Sequence, residues 1–207
     1  MKKLFPIVVS LLLLLTACRG GNATAFSLDE DGYGCTDSKT GIHYVAWDLA
    51  FEPASVLAVK GVYTAKNGTY TRTYYEIPGL DSALYLGDSE RGVWGVTAAP
   101  VPSALTPEAL LVCEEQAESV EIYRFSAGKD DAVMAEILAL WFEGEGIEKP
   151  EGGRDFSRRI KLKSTELPGI YYCFEYFTKG ESAYFYDVFS GRTVAVPASL
   201  AAHFIEQ

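Results

Sequence analysis

The residue pattern predicts an α+β fold, mainly antiparallel sheet made of hairpins and a C-terminal meander, with two or three helices packed on it. Three observations predict it. Asn67-Gly68 lies between two β-rich runs, Val56 to Thr64 and Thr69 to Ile77, and Asn-Gly is a strong hairpin signal because both residues tolerate positive φ. Val133, Met134, Ile137, Leu138, Leu140 and Trp141 recur at the spacing of one helical face between Asp130 and Glu143. From Ser157 to Val196, β-like runs follow one another through short turns at Lys179-Gly180 and Ser190-Gly191. Strand and helix patterns do not alternate along the chain, so a doubly wound parallel sheet is not expected.

Taken in order, Ile42 to Trp47 is the first expected strand, followed by the Asn67-Gly68 hairpin. Leu84 to Leu86 and Val93 to Thr97 flank Asp88-Ser89-Glu90-Arg91-Gly92, a second turn. Residues 98–107 contain Pro100, Pro102 and Pro107 and read as a connector that could divide two subdomains. Pro107 to Gln116 is expected to be a short helix with proline in its first turn, and Ser119 to Phe125 a strand. Asp130 and Asp131 favour the positive N-terminal end of the central helix, and Gly144 ends it. Glu145 to Gly153 is an acidic, glycine-rich loop. Pro197 opens a last helix with Leu200 and Phe204 on one face.

The chain has 207 residues, 48% of them hydrophobic and 13% aromatic, which excludes a disordered polymer and supplies the core of one domain over 31–207. Its formal charge of −10 argues against non-specific nucleic-acid binding.

The N-terminus has the layout of an export signal: Lys2 and Lys3, an uncharged run from Leu4 to Ala17, and small residues before Cys18. That run is shorter than the roughly 20 apolar residues of a spanning helix. Leu15-Thr16-Ala17-Cys18 resembles the lipobox of bacterial lipoproteins. The resemblance implies a signal peptide over 1–17, cleavage before Cys18, a diacylglycerol on the Cys18 thiol, and a small, polar tether over 18–30. The domain would then sit on the outer face of a bacterial cell membrane, held by its lipid.

Cys35, Cys113 and Cys173 remain after Cys18; an odd count allows at most one disulfide, and their spacing matches no zinc site. They read as small buried hydrophobes. The sequence marks no catalytic residue, no metal ligand set and no cofactor. His43 and His203 lack the rest of any metal motif. Gly87-Asp88-Ser89-Glu90-Arg91-Gly92 departs from a G-x-S-x-G elbow at Arg91 and reads as a hairpin turn. Cys113 is flanked by Glu114 and Glu115, which disfavour its thiolate.

Two C-terminal features are candidates for binding. Glu175 lies within a mostly apolar strand, and Tyr172, Tyr184 and Tyr186 belong to the same aromatic meander; a carboxylate among rings is a sugar-site arrangement. Core filling, or pairing of Glu175 with a base such as Lys161, accounts for the same residues. Arg154, Arg158, Arg159, Lys161 and Lys163 form a basic cluster, expected as a protected edge or as the balance of nearby acids. The function these observations favour is a lipid-anchored, non-catalytic domain engaging a protein or an envelope polymer. A small-ligand or sugar module built on Tyr172, Glu175, Tyr184 and Tyr186 is one alternative, and the other is a carboxylate-based hydrolase drawing on acids of the strand-rich stretches, Asp48, Glu52, Glu175 and Asp187.

Overall fold

The computed structural model describes residues 24–47, 49–56, 58–65, 68–114 and 120–205. Cys18 and the export signal lie outside them. The strands are β1 (Thr24–Leu28), β2 (Gly34–Asp37), β3 (His43–Ala46), β4 (Phe51–Pro53), β5 (Val59–Thr64), β6 (Thr71–Tyr75), β7 (Tyr85–Asp88), β8 (Val93–Gly95), β9 (Pro107–Glu114) and β10 (Glu121–Ser126). Helix α1 (Asp131–Glu143) follows, then β11 (Phe156–Ser164), β12 (Ile170–Lys179), β13 (Ser182–Tyr186), β14 (Thr193–Val196) and helix α2 (Ala198–Ile205).

The N-terminal half is a closed barrel of seven strands in the order β1-β2-β3-β8-β7-β6-β5. A parallel contact closes it, with Thr24 opposite Gly61 and Ala25 opposite Val62. The interior is filled by Phe26, Cys35, Tyr44, Tyr74, Leu86 and Trp94. Phe26 and Tyr74 lie 4.5 Å apart by ring centroid, and Tyr74 meets Trp94 edge-on at 5.4 Å. Gly61 makes the closure possible, because a Cβ there would overlap the Phe26 ring and the Thr24 carbonyl.

The C-terminal half is an antiparallel sheet in the order β10-β9-β11-β12-β13-β14, and β4 from the first half pairs with the start of β12. One face carries Leu110, Val112, Ile160, Leu162, Tyr172, Phe174, Tyr176 and Phe185, all buried. Met134, Ile137 and Trp141 of α1 and Leu200 and Phe204 of α2 share that core. Trp141 stacks on Phe174 at 4.9 Å, and Phe204 on Tyr176 at 4.5 Å.

The α+β expectation is therefore corrected. Among the described residues the fold is mostly β, with two short helices and a barrel that the strand pattern does not announce. The helix expected over Pro107 to Gln116 is β9, the strand between β10 and β11. Ala109 to Cys113 is buried on both faces, and a short, uninterrupted apolar run has no periodicity to separate a central strand from a helix. β1 starts at Thr24, inside the stretch 18–30 that composition reads as tether. One of its two partner strands, β5, lies more than thirty residues further on, where no local pattern shows the pairing. The helix expected from Asp130 to Glu143 is α1, capped at Gly144, whose N–H donates to the Leu140 carbonyl. The Asn67-Gly68 hairpin joins β5 to β6; Gly68 has φ +69°, and Asn67 lies outside the described residues.

Candidate functional site

The second face of the sheet is not covered by a helix, and its chemistry is unlike that of the first. Alternation along β11 turns Arg159, Lys161 and Lys163 to this face, opposite Glu175, Cys173 and Tyr171 of β12. β4 extends the same surface, since Glu52 pairs in register with Tyr171. Glu52 accepts hydrogen bonds from the Arg159 guanidinium and, at 3.1 Å, from Lys161 Nζ. Glu175 accepts from Arg154 at 2.6 Å and from Arg159 at 3.5 Å. Arg159, Lys161 and Glu52 are all buried. The basic cluster is thus no edge strand: β11 is central in the sheet, and its cations balance acids on β4 and β12.

Burial pushes the Glu52 carboxyl up, but Arg159 and Lys161, with a smaller pull from Arg91, outweigh it and hold the group below its ordinary value of 4.5. Glu52 is therefore a fixed anion at neutral pH, suited to holding cations in place and ill suited to giving up a proton.

Glu52 and Arg159 of this network line a cleft of about 320 Å³ where the barrel meets the sheet. Trp47 and Phe51 make an apolar wall, packed edge to face at 5.1 Å. The β7–β8 turn, with Asp88, Glu90 and Arg91, forms the barrel side. The β13–β14 turn contributes Val188 and Phe189, which are 53% and 67% exposed and so stand on the rim as apolar surface. Asp88 is buried and accepts from the Glu90 and Gly92 N–H groups, both at 2.8 Å, and from Trp94 Nε1 at 2.9 Å. Arg72 spans Asp88 and Glu90 from behind, at 3.7 and 2.6 Å.

The residues singled out in the sequence are divided by this geometry. Glu175 is opposite Tyr186 in register, and Tyr184 is opposite Phe177, so these four share the charged face. Tyr172 is on the other face, buried between the sheet and α1, where its hydroxyl accepts from Trp141 Nε1 at 3.2 Å. Burial raises its phenol to about 12 against the opposing hydrogen bond from Trp141. Parity along β12 separates Tyr172 from Glu175. The rings on the charged face are also engaged. Arg154 lies over Phe177 at 4.9 Å and over Tyr186 at 5.2 Å, and Lys149 Nζ over Tyr186 at 4.1 Å. Tyr184 stacks on Phe177 at 5.1 Å. A sugar stacking on Tyr186 would have to displace a cation first.

The remaining candidates have structural partners. His43 Nε2 lies 2.9 Å from Asp29 on the barrel surface, whereas His203 packs edge-on against Phe125 at 6.0 Å in the sheet half. Cys35, Cys113 and Cys173 are buried and unbridged. Burial pushes the Cys35 thiol up to about 12 and raises that of Cys173, so neither offers a thiolate. Among the described residues, no group of three His, Cys, Asp or Glu side chains is placed to hold a metal ion.

Sequence reasoning singles out Glu52 only as one of several acids in strand-rich stretches, and it does not join Glu52 and Asp88 in one site. Glu52 lies 107 residues from Arg159, and only the β4–β12 pairing brings them together. A buried cation pair on a central strand does call for a buried acid, and that requirement is the signal that could have singled out Glu52 among those acids. Comparisons with known protein families, curated proteins and solved structures find no match to this chain.

Proposed function

We propose that this is a lipid-anchored binding domain, exported and held at the outer face of a bacterial membrane through Cys18, which engages a protein or envelope component without transforming it. The observation that carries the binding reading is the cleft between barrel and sheet. Its charged groups are locked into ion pairs and hydrogen bonds, with Glu52 clamped between Arg159 and Lys161. Fixed charges beside an apolar wall of Trp47 and Phe51 and an exposed Phe189 suit recognition. General acid–base work wants a group poised near the operating pH, and Glu52 is held away from it.

The anchor rests on the Leu15-Thr16-Ala17-Cys18 tetrapeptide. Cys18→Ala tests it. Wild-type protein is expected to incorporate labelled fatty acid and to partition with membranes. The variant is expected to remain unprocessed at higher mass or to leave the membrane fraction. Lipid labelling and unchanged processing in the variant would refute the anchor.

A further inference from the structure

The two ends of the barrel are not alike, and the chain enters at one of them. β1 is parallel to β5, β5 antiparallel to β6, and β6 antiparallel to β7. β1 and β7 therefore start at the same end, the base, and the β7–β8 turn that lines the cleft lies at the far end. The base gathers the β2–β3 turn, where the Ser38 N–H donates to the Ala25 carbonyl, and the start of β5, where Gly61 stands opposite Thr24. Residues 81–84 cover it. The Tyr44 hydroxyl, from inside the barrel, donates to the Ser82 carbonyl at 2.8 Å, and Lys60 Nζ reaches Ser82 Oγ at 3.2 Å.

Apolar side chains stand at this end. Leu86 of β7 and Trp94 of β8 fill the barrel interior. Leu84 and Val96 continue the same inward rows, but they lie one residue outside the strands, which start at Tyr85 and end at Gly95. The Val96 N–H donates to the Leu84 carbonyl at 3.0 Å, so the two are neighbours. No interior remains there to receive them, and they are 43% and 38% exposed. Val59, which opens β5, is 51% exposed. A single exposed valine is ordinary, whereas apolar groups gathered at one end of a barrel mark a surface that meets something. Charge does not oppose a lipid surface here. Lys39 and Lys60 balance Glu76 and Asp81 around the base, with Asp37 buried beneath, while the exposed run Asp29-Glu30-Asp31 belongs to the far end.

The length of chain before β1 says what that surface meets. Cys18 precedes Thr24 by six residues. Six peptide steps span at most roughly 20 Å whatever their conformation. To bring the far end to the bilayer, that connection would have to be almost fully extended and doubled back along the barrel, whose β1 alone is roughly 15 Å long. The base meets the bilayer with no such demand. A group already held at a surface needs little affinity of its own to make a second contact there.

We infer that the base of the barrel is a lipid-facing surface, with Val59, Leu84 and Val96 resting on the bilayer, so that the cleft opens at the end away from the membrane. This rests on the Cys18 anchor proposed above and names the part of the domain that the anchor brings to the lipid.

The test uses the full-length, processed protein in vesicles of phosphatidylethanolamine and phosphatidylglycerol that include a lipid with a nitroxide headgroup. A fluorophore is placed either on Lys39→Cys at the base or on Tyr33→Cys, an exposed position in the β1–β2 turn at the far end; Cys35, Cys113 and Cys173 are buried and stay unlabelled. The nitroxide should quench the base label several-fold more than the far-end label. Leu84→Asp with Val96→Asp should lower the base quenching toward the far-end value, with membrane retention and melting temperature unchanged. Equal quenching at the two ends, stronger quenching at the far end, or base quenching that ignores the double substitution would each overturn the inference. A melting temperature that falls in the double variant would make Leu84 and Val96 packing groups and overturn it as well. Membrane fractionation of Cys18→Ala separates the two ideas. Cys18-dependent retention with equal quenching keeps the anchor and removes the lipid-facing base, whereas Cys18-independent retention removes both.

Discussion

The barrel surrounds one small core with strands of three to six residues, whereas the C-terminal sheet uses strands of up to ten and closes its two faces by different means. In the barrel, six interior side chains complete the core and every strand has two neighbours. In the sheet, helices α1 and α2 bring aromatic and aliphatic groups to one face, and ion pairs with cations lying over rings occupy much of the other. The difference teaches where tolerance and function reside. A barrel of this size depends on each interior group and on one closing contact. The charged face of the sheet spends desolvation energy on an arrangement that apolar residues could cover more cheaply, and such cost is kept where it specifies something.

The largest expected effect is on the apolar face of the sheet. Trp141 is buried, stacks on Phe174 and donates to Tyr172, so Trp141→Ala removes a ring and leaves a buried hydroxyl without its donor. A loss near the upper end of the range for large aromatics, about 5 kcal/mol, is expected in urea unfolding. A loss under about 2 kcal/mol would show that α1 is not integral to the core.

Next comes the charged face. Glu52→Ala leaves Arg159 and Lys161 buried without the acid they share. Breaking such a pair costs about 3 kcal/mol, far more than an exposed salt bridge. Equal stability of Glu52→Ala and wild type in the same unfolding experiment would mean that the network is effectively solvated. A smaller change is expected at the barrel seam. Gly61→Ala sets a methyl against Phe26 and the Thr24 carbonyl, with a cost of about 1–3 kcal/mol. Hydrogen exchange should accelerate in Thr24–Leu28 and not in β11 or β12. Uniform acceleration would show instead that barrel and sheet unfold as a single unit.

The same contrast explains what could be read in advance. The C-terminal meander and α1 were legible because their apolar residues repeat at regular intervals over nine or more residues. β2 and β4, at four and three residues, are too short to carry a period. Barrel closure depends on a parallel contact between residues 24–25 and 61–62, which no local signal announces. At the site, Glu175 was legible as an unusual acid in an aromatic strand, and its partner class was legible too, since Arg154 and Arg159 belong to the basic cluster. Tyr172 was grouped with it by composition, although it stands three positions away and must face the other side. Glu52 was legible as an acid in a strand-rich stretch, but its role as the shared partner of Arg159 and Lys161 was not, because those partners are over a hundred residues away.

The smallest expected effect is on pH dependence, and it belongs to the charged face of the sheet, where Glu52 is held between Arg159 and Lys161. The cations around Glu52 hold its folded-state value below 4.5, so the unfolded chain takes up that proton first as pH falls. Stability from Glu52 is then complete above the ordinary carboxylate range and is lost as pH drops from about 4.5 through the lower folded value. Glu52→Gln, which keeps the shape and removes the titration, is expected to be less stable than wild type at pH 7. The gap should narrow steadily from about pH 5 downward, because protonation makes the wild-type side chain neutral as well. Urea midpoints for both proteins at pH 7, 5, 4 and 3 would show this. A gap that stays constant, or widens with acid, would mean that Glu52 is not held ionised by Arg159 and Lys161, and that the charged face of the sheet is only a polar surface.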